Sequence, residues 1–163
     1  MFHVVLVEPE IPQNTGNIAR TCAATGCVLH LVKPLGFELS NKYLKRAGLD
    51  YWNLVEVRVH DGFGQIQRDY PSARFRFFTT KAPRAYTEAD YREGDFLVFG
   101  KETKGLDEEL LVAHPQECVR IPMIGESRSL NLSNAVAIAV YEGLRQNSFA
   151  GLQEGGNLHR LSW

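Results

Sequence analysis

Residues 127–136, Ser-Arg-Ser-Leu-Asn-Leu-Ser-Asn-Ala-Val, join a polar, hydroxyl-rich loop directly to an apolar helix. Asn131 and Ser133 can cap the first turn of that helix. The residues that can bury one face recur with the helical period and are Leu132, Val136, Ala139, Val140, Gly143 and Leu144. Taken alone, the pattern fits either a capped core helix or a helix whose amino end, lined with hydrogen-bond donors, faces a ligand.

Around this stretch, short runs of β-branched and aromatic residues alternate with helical segments. Strands are predicted near residues 2–7, 27–33, 54–59, 74–79, 95–100 and 117–121. Helices are predicted from a cap at Asn14 to Gly26, from Ser40 through Ala47, from Phe63 to Pro71, over 107–113 and over 131–146. This alternation predicts an α/β fold, a mostly parallel sheet with helices on both faces.

Length and composition predict one domain. The chain has 163 residues, of which 44% are hydrophobic, enough for a single core over residues 1–150, and the glycines in residues 151–163 predict a loose C-terminal tail. Eighteen basic and nineteen acidic residues leave a net charge of -1, so a polyanion must be met by a local basic patch. Three cysteines without a CxxC motif, no signal-peptide pattern and no long apolar run predict a cytoplasmic protein that does not enter a membrane.

The common nucleotide and metal motifs are missing from the sequence. After the first predicted strand, Gly16 is the only glycine where a dinucleotide fold needs G-x-G-x-x-G. There is also no G-x-x-x-x-G-K-[ST], which argues against a P-loop. The five histidines show no paired ligand spacing, so we interpret them as strand or surface residues and predict no metal.

Three segments rich in glycine or asparagine each lie between a predicted strand and a helix. In residues 14–20, Asn-Thr-Gly-Asn-Ile-Ala-Arg, side chains can converge on one site, although capping and a solvated arginine would also explain the pattern. In residues 99–106, Phe-Gly-Lys-Glu-Thr-Lys-Gly-Leu, the two glycines can let a flat ligand approach the backbone or can simply form a tight turn. The third segment, residues 121–125, leads into the polar loop that precedes the last predicted helix.

These three segments, in this order, resemble the SPOUT class of RNA methyltransferases. The matching residues are Asn14-x-Gly-Asn-x-x-Arg20, then Phe99-Gly-x-Glu-x-x-Gly-Leu106, then Ile121-Pro-Met123 with Ser129-Leu-Asn-Leu-Ser-Asn-Ala135. Residues 8–12 and 46–51 further resemble the small bacterial subfamily that 2′-O-methylates the wobble nucleotide, cytidine or modified uridine at position 34, of leucine tRNAs. Lys101 departs from the proline or small residue that is typical of this turn.

The resemblance implies a SPOUT fold with a deep trefoil knot near the C terminus, although knots are rare in proteins. It also implies a homodimer with the active site at the subunit interface, and exposed apolar residues at Ile138 and Tyr141 would agree with that. The implied cofactor is S-adenosyl-L-methionine, with no metal. By the same resemblance its pocket comprises Phe78, Thr79, Gly100, Gly105, Ile121, Met123, Ser129 and Leu130.

The implied reaction transfers a methyl group from a sulfonium to a ribose hydroxyl. The resemblance makes Arg20 the residue that acts on the hydroxyl; because an arginine keeps its charge, we expect it to orient that hydroxyl and hold the adjacent phosphate. Asn14 and Asn131 would hold the reacting groups, and Glu102 would brace Arg20 or its loop. The developing charges largely cancel, so a desolvated pocket that aligns oxygen, methyl and sulfur favours the transition state.

Two groups of cations are candidates for binding the tRNA anticodon stem-loop. Lys42, Lys45 and Arg46 share one face of a predicted helix, for which an ordinary solvated face is the alternative. The second group lies in predicted loops near the cofactor segments and consists of Lys81, Arg84 and Arg128. Two other functions stay open: a non-catalytic RNA-binding protein that retains the fold, and 2′-O-methylation at another tRNA or rRNA position.

Overall fold

The strands of the fold form one parallel sheet. A computed structural model describes residues 1–40, 51–125 and 128–163. Its strands are β1 (His3–Val7), β2 (Val28–Val32), β3 (Val57–His60), β4 (Phe75–Phe78), β5 (Phe96–Phe99) and β6 (Cys118–Val119). They lie in the order β3-β2-β1-β5-β4-β6, and every neighbouring pair is parallel. Each strand overlaps a predicted one, so the predicted α/β class is confirmed.

Helices connect the strands. In the described ranges they are α1 (Pro12–Thr25), α2 (Phe63–Asp69), α3 (Glu108–Ala113) and α4 (Leu132–Gln146), with single 3-10 turns at Trp52–Leu54 and Tyr86–Glu88. The helix predicted from Ser40 through Ala47 lies, beyond Ser40, outside the described residues.

The start of α1 corrects one prediction. Asn14 does not cap this helix, because Ile11 occupies the N-cap position and Asn14 lies inside the first turn. The physical reason is Pro12, whose fixed φ suits the first position of a helix and moves the N-cap of α1 three residues earlier, from Asn14 to Ile11. Gly26 ends the helix as predicted, with a left-handed φ of 71°.

Apolar side chains pack on both faces of the sheet. On one face, Leu6 and Leu29 lie in a buried cluster with Ile18 of α1 and Val140 of α4. On the other face, Val5, Phe77 and Val98 form a second cluster with residues of α2 and α3. The predicted covering of both faces is therefore confirmed. Among residues 1–40, 51–125 and 128–163, no helix has the length and apolar character needed to cross a membrane.

Three histidines form a hydrogen-bonded row across β1, β2 and β3, as strand residues in agreement with the sequence prediction. Nδ1 of His3 lies 2.9 Å from Nε2 of His30, and Nδ1 of His30 lies 2.9 Å from Nε2 of His60. Burial lowers the pKa of all three imidazoles, and for His30, burial together with the two neighbouring imidazoles lowers the pKa to about 3. These side chains are consequently neutral at physiological pH.

The strand order determines where a ligand can bind. From β1 the chain runs outward through β2 to β3, and β4 then lies on the other side of β1, with β5 between them. In open parallel sheets, ligands bind beyond the carboxyl ends of the strands, at the point where the direction of winding changes. Here that point lies beyond the ends of β1 and β5.

Candidate active site

A pocket of about 450 Å³ opens beyond the carboxyl ends of β4, β5 and β6. Its walls come from residues 78–81 and 99–105, from Ile121 and Met123, from residues 128–132 at the amino end of α4, and from Ile11 and Asn14 after β1. The structure thus brings the separate sequence segments to one place. All the residues named for cofactor binding line this pocket: Phe78, Thr79, Gly100, Gly105, Ile121, Met123, Ser129 and Leu130.

Gly100 and Gly105 lie in the loop that follows β5, called the β5 loop below, and the backbone conformation of this loop requires both glycines. A Cβ atom on Gly100 would lie 2.1 Å from the carbonyl carbon of Gly105 and 2.3 Å from the nitrogen of Leu106. Gly105 has a φ of 72°, and its N–H donates to the carbonyl of Lys101 at 3.0 Å. Tight turning therefore explains both glycines, and it also shapes the pocket wall.

The carboxylate of Glu102 braces the loop that begins α1. It accepts hydrogen bonds from the backbone N–H of Glu10 at 2.9 Å and of Ile11 at 3.1 Å, and from Nδ2 of Asn14 at 3.2 Å. A negative charge here also interacts favourably with the dipole of α1. Of the two roles predicted for Glu102, the contacts fit bracing of the loop.

Two further glutamates, Glu8 and Glu10, lie in the loop between β1 and α1 and contact the loop that follows β5. Glu10 accepts from the backbone N–H of Thr103 at 3.1 Å and from its hydroxyl at 2.9 Å. Glu8 forms an ion pair with Lys101, which raises the pKa of the Lys101 amine. The unusual Lys101 thus gains its partner from the residue that follows β1. Sequence reasoning missed these contacts, and the only available signal was a pair of acidic residues directly after a strand.

Asn131 connects the last helix to the first. Its Oδ1 accepts from the backbone N–H of Ser133 at 2.9 Å, so it caps α4 as predicted. Its Nδ2 donates to Oδ1 of Asn14 at 3.0 Å. Ser133, the other proposed cap, instead donates its hydroxyl to Asn131 at 2.6 Å. Asn14 thereby joins Glu102 to Asn131, and all three line the pocket.

Arg20 occupies a different place. It is exposed on α1, with its guanidinium carbon 4.7 Å from the centroid of the Tyr51 ring, and the pocket is lined by Asn14 but not by Arg20. Six residues at 3.6 per turn rotate Arg20 well away from the direction of Asn14. Within one chain, the side chains of Asn14 and Arg20, which the sequence predicts to converge on one site, therefore do not meet.

The predicted RNA-binding cations divide into three groups. Lys81 and Arg128 line the pocket, where Nζ of Lys81 pairs with Glu108 at 2.7 Å. Arg84 donates to the backbone carbonyls of Gln116 at 3.3 Å and Glu88 at 3.0 Å, contacts that an RNA phosphate would have to displace. The third group, Lys42, Lys45 and Arg46, lies outside the described residues. Lys104, which the sequence reasoning did not name, also lines the pocket.

No group of three or more histidine, cysteine or acidic side chains could hold a metal ion in the part of the chain that the structure describes. The site consists instead of backbone groups, amides, carboxylates, a few cations and apolar side chains such as Phe78 and Ile121. Such a set can bind a polar organic ligand and orient a hydroxyl by hydrogen bonds.

Comparison with known proteins connects this site to an enzyme family. A model of the SpoU rRNA Methylase family matches residues 1–141. A tRNA (cytidine(34)-2′-O)-methyltransferase of Acidovorax sp. (strain JS42) is 51% identical over 152 residues, covering 91% of this chain and 94% of the relative.

Solved structures of RNA methyltransferases are also similar to this chain. One, from work on the 2′-OH methylation of C/U34 on tRNA, is 51% identical and superposes with a TM-score of 0.87 over 91% of this chain and 97% of its own. An AdoMet-bound rRNA methyltransferase from Sinorhizobium meliloti is 26% identical, with a TM-score of 0.79 over 88% of this chain and 56% of its own. Because the family match extends from the first strand into the last helix and these similarities cover nearly the whole chain, the protein belongs to the SpoU rRNA Methylase family.

Proposed function

We infer that this protein transfers the methyl group of S-adenosyl-L-methionine to the ribose 2′-hydroxyl of the wobble nucleotide, position 34, of tRNA. The observation that carries this inference is the similarity to a tRNA (cytidine(34)-2′-O)-methyltransferase, which covers 94% of that relative. The target is a cytidine or modified uridine, in leucine tRNAs by the resemblance of residues 8–12 and 46–51. Such an enzyme works in the cytoplasm, on the anticodon stem-loop.

The residues of the pocket fit the cofactor. Its volume of about 450 Å³ lies in the range of small-molecule sites, and its lining combines apolar side chains such as Phe78, Ile121 and Leu130 with backbone groups of the β5 loop. The apolar side chains would hold the adenine, and the tight turn at Gly100 would present backbone groups to its edge. Bound there, the cofactor supplies an electrophilic methyl group.

The protein contributes orientation rather than covalent chemistry. Asn14 is held between Glu102 and Asn131, so its amide has a fixed direction at the pocket wall. Glu102 accepts hydrogen bonds from backbone N–H groups of the loop before α1 and so keeps this part of the pocket wall in place. Arg20 would orient the hydroxyl and bind the neighbouring phosphate, since a guanidinium provides several donors in one plane. Alignment of the reacting atoms accounts for most of the expected acceleration.

We propose that two copies of the chain assemble so that Arg20 of one faces the pocket of the other. Arg20 does not line the pocket of its own chain. Apolar side chains are exposed at the pocket rim and along α4, namely Ile11, Leu130, Ile138 and Tyr141. A second copy would cover these side chains and complete the site. Light scattering of the purified protein measures the mass, and a monomer at micromolar concentration contradicts the proposal.

Mixing two inactive variants tests the shared site. Arg20→Ala and Gly100→Ala each damage one half of the proposed site, so co-expressed chains would form mixed dimers with one intact site. We expect activity in the mixture that neither parent shows. If co-expression restores no activity, Arg20 acts on the pocket of its own chain and the shared site is contradicted.

Nucleoside mass spectrometry tests the function directly. Purified protein, S-adenosyl-L-methionine and leucine tRNA lacking the modification should yield a 2′-O-methylated nucleotide at position 34, and Arg20→Ala should yield none while still binding cofactor in calorimetry. A methyl group at another position would instead favour the broader 2′-O-methyltransferase function. Cofactor or RNA binding without methyl transfer would favour the non-catalytic one.

A further inference from the structure

The guanidinium of Arg20 lies over the ring of Tyr51, with 4.7 Å between the guanidinium carbon and the ring centroid. Arg20 is exposed on α1, and Tyr51 is half-buried just before the 3-10 turn Trp52–Leu54. We propose that Tyr51 is a positioning residue, which holds Arg20 in the orientation that methyl transfer needs. This inference rests on the proposed function, because it assigns Arg20 a role in that reaction.

Tyr51 is held in place by a hydrogen-bonded turn and by the packing of the residue that follows it. The carbonyl of Tyr51 accepts from the N–H of Leu54 at 2.8 Å, which closes the turn behind it. Trp52 packs against the buried cluster that contains Ile18 and Ala19 of α1. Both partners of the contact are therefore attached to the same core.

A ring suits this role better than a carboxylate would. The attraction between a guanidinium and the face of an aromatic ring depends on the positive charge and the ring quadrupole. A carboxylate would accept the N–H donors of Arg20 and neutralise it, whereas these donors are needed by the substrate hydroxyl and phosphate. Restricting the side chain before the substrate arrives also reduces the entropy cost of reaching the transition state.

Substitution at Tyr51 tests the proposal. Tyr51→Phe keeps the ring face and should keep kcat, whereas Tyr51→Leu should lower kcat by about two- to fivefold, the rate equivalent of an exposed cation–π contact. The KM for S-adenosyl-L-methionine should stay unchanged, and the Kd for tRNA should change no more than kcat does, because Arg20 also binds a phosphate. A ring that stacks on an RNA base would instead change the tRNA Kd and leave kcat constant.

Fluorinated phenylalanines at position 51 separate this role from simple packing. Each added fluorine withdraws electron density from the ring face and scarcely changes its size, so kcat should fall stepwise from mono- to trifluorophenylalanine. Tyr70 is a matched control, because the guanidinium carbon of Arg58, a β3 residue away from the pocket, lies over its ring at 5.8 Å. The same series at Tyr70 should leave kcat constant.

The outcomes distinguish this inference from the proposed function. If Arg20→Ala retains normal turnover, Arg20 has no part in the reaction and the proposed role of Arg20 fails. If Arg20→Ala is inactive but kcat is constant across the fluorinated series at Tyr51, the positioning role alone is overturned. A shift of the tRNA Kd with constant kcat overturns it as well. The fluorinated series decides the matter even if Tyr51→Leu does not fold.

Discussion

Asn131 and Asn14 are 117 residues apart in sequence, yet Nδ2 of Asn131 donates to Oδ1 of Asn14 at 3.0 Å. The other end of the Asn14 amide donates to Glu102, so a single side chain links the first helix, the β5 loop and the last helix. Asn131 has two separate tasks, because its own oxygen caps α4. A substitution can remove one task and leave the other.

Asn131→Asp should retain stability and lose activity. Aspartate caps a helix about as well as asparagine, but it has no N–H to donate, so its carboxylate would face Oδ1 of Asn14, which is also an acceptor. Asn131→Ala loses the cap too, so its free energy of unfolding should fall by about 0.5–2 kcal/mol. Urea denaturation and methyl-transfer assays on both variants check this. Wild-type turnover of Asn131→Asp would show that the link to Asn14 is dispensable.

The strands and the last helix could be predicted because their signals are local. Runs such as Phe96–Phe99 are apolar throughout, and the cap at Asn131 precedes a clear helical period. The predicted start of α1 was wrong because the fixed φ of Pro12 outweighed the capping tendency of Asn14. The contact between Glu10 and Thr103 joins two loops 93 residues apart, and any N–H within reach can satisfy a carboxylate. Only the order of the strands brings those loops together.

The histidine row was unpredictable for the same reason. His3, His30 and His60 show no spacing pattern, and they meet because β1, β2 and β3 are neighbours with a particular register. The position of Arg20 over Tyr51 likewise depends on how the 3-10 turn packs beside α1. The knot implied by the family resemblance stays a prediction, as does the role of each pocket residue.

The two glycines of the β5 loop should respond differently to alanine. Gly105→Ala places a Cβ in open space but at a φ of 72°, so it should cost about 1–2 kcal/mol of stability and leave the loop in place. Gly100→Ala drives a Cβ into the backbone of Gly105 and Leu106, so the loop must move. We expect Gly100→Ala to lose cofactor binding in calorimetry and Gly105→Ala to weaken it less. Equal affinities would mean that this loop does not form the cofactor site.

The patch that the sequence predicts at Lys42, Lys45 and Arg46, outside the described residues, should contribute to tRNA affinity by binding phosphates. A triple alanine variant should bind tRNA more weakly, and the slope of log affinity against log salt should flatten by about 0.7 to 0.9 for each phosphate that is no longer bound. Arg92→Ala is a suitable control, because Arg92 precedes β5 at the end of the sheet opposite the pocket and pairs with Asp90 at 2.8 Å. An unchanged slope for the triple variant would shift the RNA site towards Lys81, Lys104 and Arg128.

The histidine row should make stability depend on pH below neutrality. The pKa of His30 is about 3 in the folded protein and about 6.5 in the unfolded chain, so between these values the unfolded chain binds the proton. Stability is therefore fully present above about pH 6.5 and declines as the pH falls towards 3. The lowered pKa values of His3 and His60 act in the same direction. At pH 5 the loss from His30 alone is about 2 kcal/mol.

His30→Gln removes this titration while keeping a polar side chain in the row. Urea denaturation at pH 7.5 and pH 5 should show a smaller loss for the variant than for the wild-type protein, even though its stability at pH 7.5 is lower because the glutamine packs less well. His159→Gln, in the exposed tail, is the matched control and should keep the wild-type difference. If His30→Gln also keeps that difference, protonation of other groups causes the loss of stability at low pH.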